Sequence, residues 1–136
     1  MTNNKEQTKS ARYQVSTSLA NEQNRSLPTL LTSRLDYVTQ GGVDQNPSAD
    51  SDIAPILDLL ANVSSTKDDY LLPDTPLKEA IFRVILANKN KPMSANEISE
   101  QLSNRWSEST NSRNISANVI ERLLTNSQTY CISATN

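Results

Sequence analysis

The sequence has 136 residues, which suits one domain and leaves no room for a second core of comparable size. Only 35% of it is hydrophobic, and 52 residues are Asn, Gln, Ser or Thr. It is too polar for a large enzyme core, and at 21% charged it is not charged enough for full disorder. There is no histidine, one cysteine (Cys131) and two glycines, Gly41 and Gly42. Those counts remove the commonest general base and zinc ligand, any Cys/His couple, an internal disulfide and a phosphate-cradling glycine loop. Catalysis, a metal and a cofactor are therefore not expected. The net charge of −2 hides three segments: residues 1–26 at net +2, residues 27–76 at −6 with eight aspartates, and residues 77–136 at +2.

Residues 1–26 carry few apolar side chains, and nothing there repays the roughly 1–2 kcal/mol per residue of backbone ordering. The expectation is a flexible polar tail with at most a short helix near Tyr13–Leu19. Met1–Ser10 lacks the apolar core of a secretory signal, and no stretch approaches the roughly 20 apolar residues of a membrane helix. The chain reads as cytoplasmic, with a nucleoid or nuclear location compatible.

Residues 27–73 read as an acidic segment with two short amphipathic helices. The first starts at Ser26, a capping residue, with Pro28 in the first turn. Leu27, Leu30, Leu31, Leu35 and Val38 then share a face, and Gly41-Gly42 ends it. The second is capped by Ser51 or Asp52 and places Ile53, Ile56, Leu57, Leu60 and Val63 at helical spacing, before Ser64–Asp69 stops it. Helices of about three turns are marginal alone in water. The apolar residues Ile53, Ile56, Leu57 and Leu60 must therefore cover either a partner's groove or the domain that follows.

From Asp74 onward the local signals agree. Thr75 caps, Pro76 takes the first position, and Leu77–Ala87 carries a broad apolar stripe. After a turn at Asn88–Pro92, Ser94-Ala-Asn-Glu97 is a capping box. The helix it opens places Ile98, Leu102 and Trp106 inward. A polar loop, Ser107–Asn114, leads to Ser116, which caps a third helix with Val119, Ile120, Leu123 and Leu124 inside. Thr129–Ser133 reads as a strand. Trp106 and Cys131 read as core residues, and Asp68-Asp69 as a solvated turn. These signals lead one to expect residues 74–136 to fold cooperatively on their own.

This order of elements resembles a winged helix-turn-helix domain, and most of all the HARE-type domains, among them the amino-terminal domain of bacterial RNA polymerase delta subunits. The resemblance rests on Leu77-Lys-Glu-Ala80, on Lys91-Pro-Met-Ser-Ala-Asn-Glu-Ile98 and on Val119-Ile-Glu-Arg-Leu-Leu-Thr-Asn-Ser-Gln-Thr-Tyr130, and covers about residues 74–136. It departs in two places. No returning strand follows Tyr130–Ser133, so either the wing is truncated or Met93 and Tyr130–Ser133 form a minimal sheet. The loop Ser107–Asn114 also exceeds the tight turn of a simple helix-turn-helix.

The expected fold is thus mostly α, with a small winged-helix-like three-helix domain, a minimal β element, short preceding helices and a tail. The resemblance implies a non-enzymatic DNA-binding or transcription-associated protein whose third helix faces duplex DNA. Arg113, Asn114, Ser116, Asn118, Arg122 and Asn126 would then contact the duplex, with Lys89 and Lys91 on phosphates. A net +2 is a thin electrostatic footprint for that task. The competing expectation is a docking module bound to RNA polymerase or another protein subunit.

Overall fold

A computed structural model describes residues 11–44, 46–107, 114–126 and 128–135. These are mostly helical, with a small three-stranded antiparallel sheet. The elements in chain order are β1 (Arg12–Val15), α1 (Thr17–Glu22), α2 (Leu27–Thr32), α3 (Tyr37–Gln40) and α4 (Ala54–Asn62). Then come α5 (Leu77–Ala87), β2 (Met93–Ser94), α6 (Ala95–Arg105), α7 (Ala117–Leu124) and β3 (Ile132–Thr135). Single 3-10 turns cover Ser64–Thr66, Asp68–Leu71 and Gln128–Tyr130.

The helix α5 is the hub. A surface helix buries one stripe, but α5 buries Ala80, Ile81 and Phe82 and then Val84, Ile85 and Leu86, so it is enclosed on nearly every side. The helices α4, α6 and α7 and the strand β1 pack around it. Its start lies one residue later than the sequence suggests: Pro76 is the cap position, and no side chain caps it.

Residues 12–26 are not a tail. Arg12-Tyr-Gln-Val15 alternates polar with β-forming apolar residues, so Tyr13 and Val15 point into the core while Arg12 and Gln14 face outward. This strand takes the middle of the sheet, in the order β2-β1-β3. Arg12 and Tyr13 pair with Ser94 and Met93 on one edge, and Arg12 through Val15 pair with Thr135 back to Ile132 on the other. Where β2 ends, Asn90 stands in for a strand residue: its amide accepts from the Val15 N–H at 2.8 Å and donates to the Val15 carbonyl at 2.9 Å. The minimal sheet of Met93 with Tyr130–Ser133 is thereby corrected, because its completing strand comes from the other end of the chain. β3 also starts later than expected, since Gln128–Tyr130 coils into a 3-10 turn and Cys131 takes a left-handed φ of 60°.

The helix α1 is capped by Ser16, whose side chain accepts from the Leu19 N–H. It closes in a Schellman turn, with Asn24 at φ 58° and the Arg25 N–H on the Ala20 carbonyl at 2.9 Å. Ser26 caps α2 as expected, with Pro28 in its first turn. The continuous face from Leu27 to Val38 is not formed. Asp36 caps a new helix by accepting from the Thr39 N–H, so Leu27, Leu31 and Leu35 are buried while Val38 turns outward.

The helix α4 settles its own alternatives. Leu57 and Leu60 are buried, and Ile53 and Ile56 pack half-buried on the same core. All four therefore pack toward this chain's own core, where α5 and α2 lie against α4, rather than standing as a free apolar face. Neither Ser51 nor Asp52 caps α4 in the usual way; Asp52 accepts from the Ala54 N–H at 3.1 Å, and Ile53 occupies the cap position.

Charged and polar bonds join the acidic segment to α5. The Arg34 guanidinium forks onto Glu79, Nε to Oε2 at 2.9 Å and Nη2 to Oε1 at 2.8 Å, and Arg83 Nε reaches the same carboxylate at 2.8 Å. Tyr70 donates to the Arg83 carbonyl at 2.6 Å, and Arg83 Nη1 returns to the Tyr70 carbonyl at 3.0 Å. The three expected segments, 1–26, 27–73 and 74–136, therefore share one core from residue 13 to residue 132.

At the carboxy-terminal end, both bonds of the Ser94/Glu97 capping box are present. The helix α7 buries Ile120 and Leu124, whereas Val119 and Leu123 are only half-buried, a narrower inner face than expected. Trp106 is half-buried at the core's edge and donates to the Leu71 carbonyl at 3.0 Å. No helix among the described residues is long and apolar enough to cross a membrane.

Two outcomes follow from the shared core. Residues 74–136 alone lack Tyr13, Val15 and α4, and should show no cooperative thermal transition by circular dichroism. In the full chain, Leu60→Ala should lower the free energy of unfolding by about 2–5 kcal/mol in urea titration. An effect near zero would place α4 outside the core.

Candidate nucleic-acid interface

Bonds on its inner side and at both ends fix α7. Before it, the Ile115 carbonyl accepts from Ser99 Oγ of α6 at 2.6 Å. Midway, Glu121 Oε2 accepts from the Tyr13 hydroxyl of β1 at 2.5 Å. Past its end, the Asn126 carbonyl accepts from Lys78 Nζ of α5 at 2.7 Å. A cation at the carbonyl end of a helix also suits the helix dipole.

The outer side is exposed and polar: Ser116, Asn118, Arg122, Thr125 and Asn126. Several of these have local work. Asn114 Oδ1 accepts from the Ser116 N–H at 3.1 Å and shapes the entry. Asn126 Nδ2 and Thr125 Oγ1 both donate to the Arg122 carbonyl, at 3.1 and 2.8 Å, and close the exit. Ser116 holds the cap position without a side-chain cap bond. Asn118 and Arg122, four residues apart on one face, are left as the outward pair. Arg113 lies outside the described residues.

Lys89 and Lys91 do not join this group. Lys89 sits past the end of α5 with φ 58° and meets Asp58 of α4 at 3.4 Å. Arg122 and Asn126 lie toward Lys78, at the start of α5, and an eleven-residue helix separates its two ends by about 16 Å. The sequence grouped them because the turn before the second helix and the third helix can both reach DNA in the resembled fold. It missed Lys78, whose place in the first turn of a helix opening Leu77-Lys78 was its only signal.

Most other cations are committed internally. Arg12 pairs with Glu97 at 2.8 Å, and Arg34 and Arg83 share Glu79. Arg105 donates to the carbonyls of Ser65 and Lys67 at 2.9 and 2.7 Å, and Arg25 to that of Thr129. On the outer face of α7 the cation among the described residues is Arg122, while Lys78 is engaged at the helix end by the Asn126 carbonyl. Cys131 is buried, and burial pushes its thiol up. Among the described residues no three metal-ligating side chains gather. Comparison with protein-family models, curated proteins and solved structures finds no match for this chain.

The Tyr13–Glu121 contact gives α7 a pH signature. Burial, then the bond and charge of Glu121, push the Tyr13 phenol up to about 12 from 10.0. A folded-state pKa raised above the unfolded one adds stability that is complete below pH 10 and is lost as pH climbs toward 12. Tyr13→Phe should flatten that alkaline loss in urea titrations on either side of the window. An unchanged slope would show that the phenol is not the titrating group.

Proposed function

We propose that the chain is a non-enzymatic, transcription-associated module of winged-helix type that meets duplex DNA through the outer face of α7. The observation that supports this reading is the division of α7 into a pinned inner side and an outer side with Asn118 and Arg122 one turn apart. Asn suits the paired donor and acceptor of adenine, and Arg suits guanine or a phosphate. The helix cannot roll, because Tyr13, Ser99 and Lys78 hold it in three places. The helix backbone is therefore already ordered at the moment of binding, and only the outward side chains remain to be fixed.

The second reading, a docking module within a larger protein assembly, draws on the internal commitment of Arg12, Arg25, Arg34, Arg83, Arg105 and Lys89. So few free cations predict weak non-specific binding to DNA, a deficit that a partner subunit would make up.

A salt titration of a labelled duplex by fluorescence anisotropy separates the two. In the first reading the chain binds at about 50 mM salt, and Arg122→Ala lowers the log–log slope by about one unit. Lys89→Ala and Lys91→Ala leave the slope alone. No binding by the unaltered chain at about 50 mM salt, where electrostatic affinity is strongest, overturns the DNA reading in favour of docking.

A further inference from the structure

Among the described residues, two large apolar side chains stand almost wholly in solvent: Tyr37 at 90% exposure and Val38 at 81%. They are neighbours on α3. Single exposed apolar residues are ordinary, but an adjacent pair on a rigid mount is not.

The mount is built from both sides. Asp36 accepts from the Thr39 N–H at 3.2 Å and from Ser64 Oγ at 2.6 Å, while the Asp36 N–H donates to Ser64 Oγ at 3.0 Å. Ser64 is itself buried, so this bracket ties α3 to the core beyond α4. On the other side Gln40 Nε2 donates to the Leu35 carbonyl at 2.8 Å, and Val43 packs against the core. The structure thus spends a buried serine and an aspartate on holding a four-residue helix whose own apolar side chains cover nothing.

The surroundings are anionic. Asp36 and Asp69 line, with Tyr37, a cleft of about 220 Å³. Arg34 and Arg83 also reach this cleft and share the one carboxylate of Glu79, so that with Asp36 and Asp69 the five charges sum to −1. The hydrogen bonds from Ser64 and then Thr39 hold the Asp36 carboxyl down at about 2, so it stays charged at neutral pH. The wider segment 27–76 carries net −6.

We propose that α3 is a protein-docking knob: Tyr37 and Val38 dock on the apolar stripe of an amphipathic helix of a partner protein, a stripe edged with lysine or arginine. An aromatic anchor braced in its bound conformation is the composition of an interface hot spot, and Asp36 and Asp69 supply the matching charge. The same aspartates disfavour nucleic acid and anionic lipid at this face. The proposal uses no residue of the outer face of α7, so it stands whether or not α7 binds DNA.

The test uses the full chain and an amphipathic helical peptide of leucine and lysine, which presents an apolar stripe edged with cations, beside its leucine–glutamate counterpart. Calorimetric titration should show that the lysine peptide binds and the glutamate peptide does not. NMR shifts should concentrate on residues 35–43 and 69–70. The double variant Tyr37→Ser, Val38→Ser should weaken binding about tenfold or more without moving the thermal midpoint, since neither side chain is in the core. Asp69→Asn should weaken binding less and reduce its salt dependence. Equal binding by the double variant, equal binding of the glutamate peptide, or no binding of the lysine peptide would each overturn the proposal. Binding of anionic lipid vesicles through Tyr37 would overturn it in favour of a membrane contact.

Discussion

The middle of the sheet is held by four residues, Arg12–Val15, and both neighbouring strands depend on them. β2 has only two residues and does not touch β3; each reaches the other only through β1. A two-residue strand with no partner would be no strand at all. The inward side chains of β1 do further work. Val15 fills the core beneath α5, and Tyr13 passes between the helices to hold Glu121 of α7. Asn90 accepts the strain of a left-handed backbone to satisfy both polar groups of Val15, which would otherwise have no partner on that edge.

A second constraint joins the acidic segment to the hub. Glu79 lies between two guanidiniums, with Phe82 under Arg34 at 4.9 Å and Tyr70 under Arg83 at 5.3 Å. Burial pushes the Glu79 carboxyl up, but the bonds and charges of Arg34 and Arg83 pull harder and hold it below the ordinary range. Its contribution is therefore present above the unfolded carboxyl's pKa and fades as pH falls through the lowered one. The charges are only partly buried, and their chief effect is registry, since one carboxylate fixes Arg34 after α2 against the first turn of α5.

What the sequence made legible was what is local. The Ser94/Glu97 box and the Ser26 cap with Pro28 are decided within a few residues and form as read, and α5 forms one residue late with more than a stripe buried. The fold class was readable from these alone. What lay hidden depends on partners far along the chain. Four residues alternating as Arg-Tyr-Gln-Val are a faint strand signal, and Ser94 and Thr135, which Arg12 pairs with, lie far down the sequence. The break before α3 needed Asp36 to find Ser64, 28 residues away, before Val38 could turn outward. The same limit touched the candidate site. The outer face of α7 followed from its own periodicity, whereas the distance of Lys89 and Lys91 from it follows from the packing of α5.

Native-state hydrogen exchange on the full chain tests most directly whether β1 belongs to the core. The amides of Tyr13, Gln14, Val15 and Ser16 should exchange as slowly as those at the centre of α5, Ile81–Ile85, because both open only when the whole chain unfolds. Val15 and Ser16 are the sharpest reporters, since their N–H groups donate to Asn90 and to the Cys131 carbonyl. Fast exchange at residues 13–16 alongside slow exchange in α5 would contradict the shared core and return the amino-terminal segment to a tail.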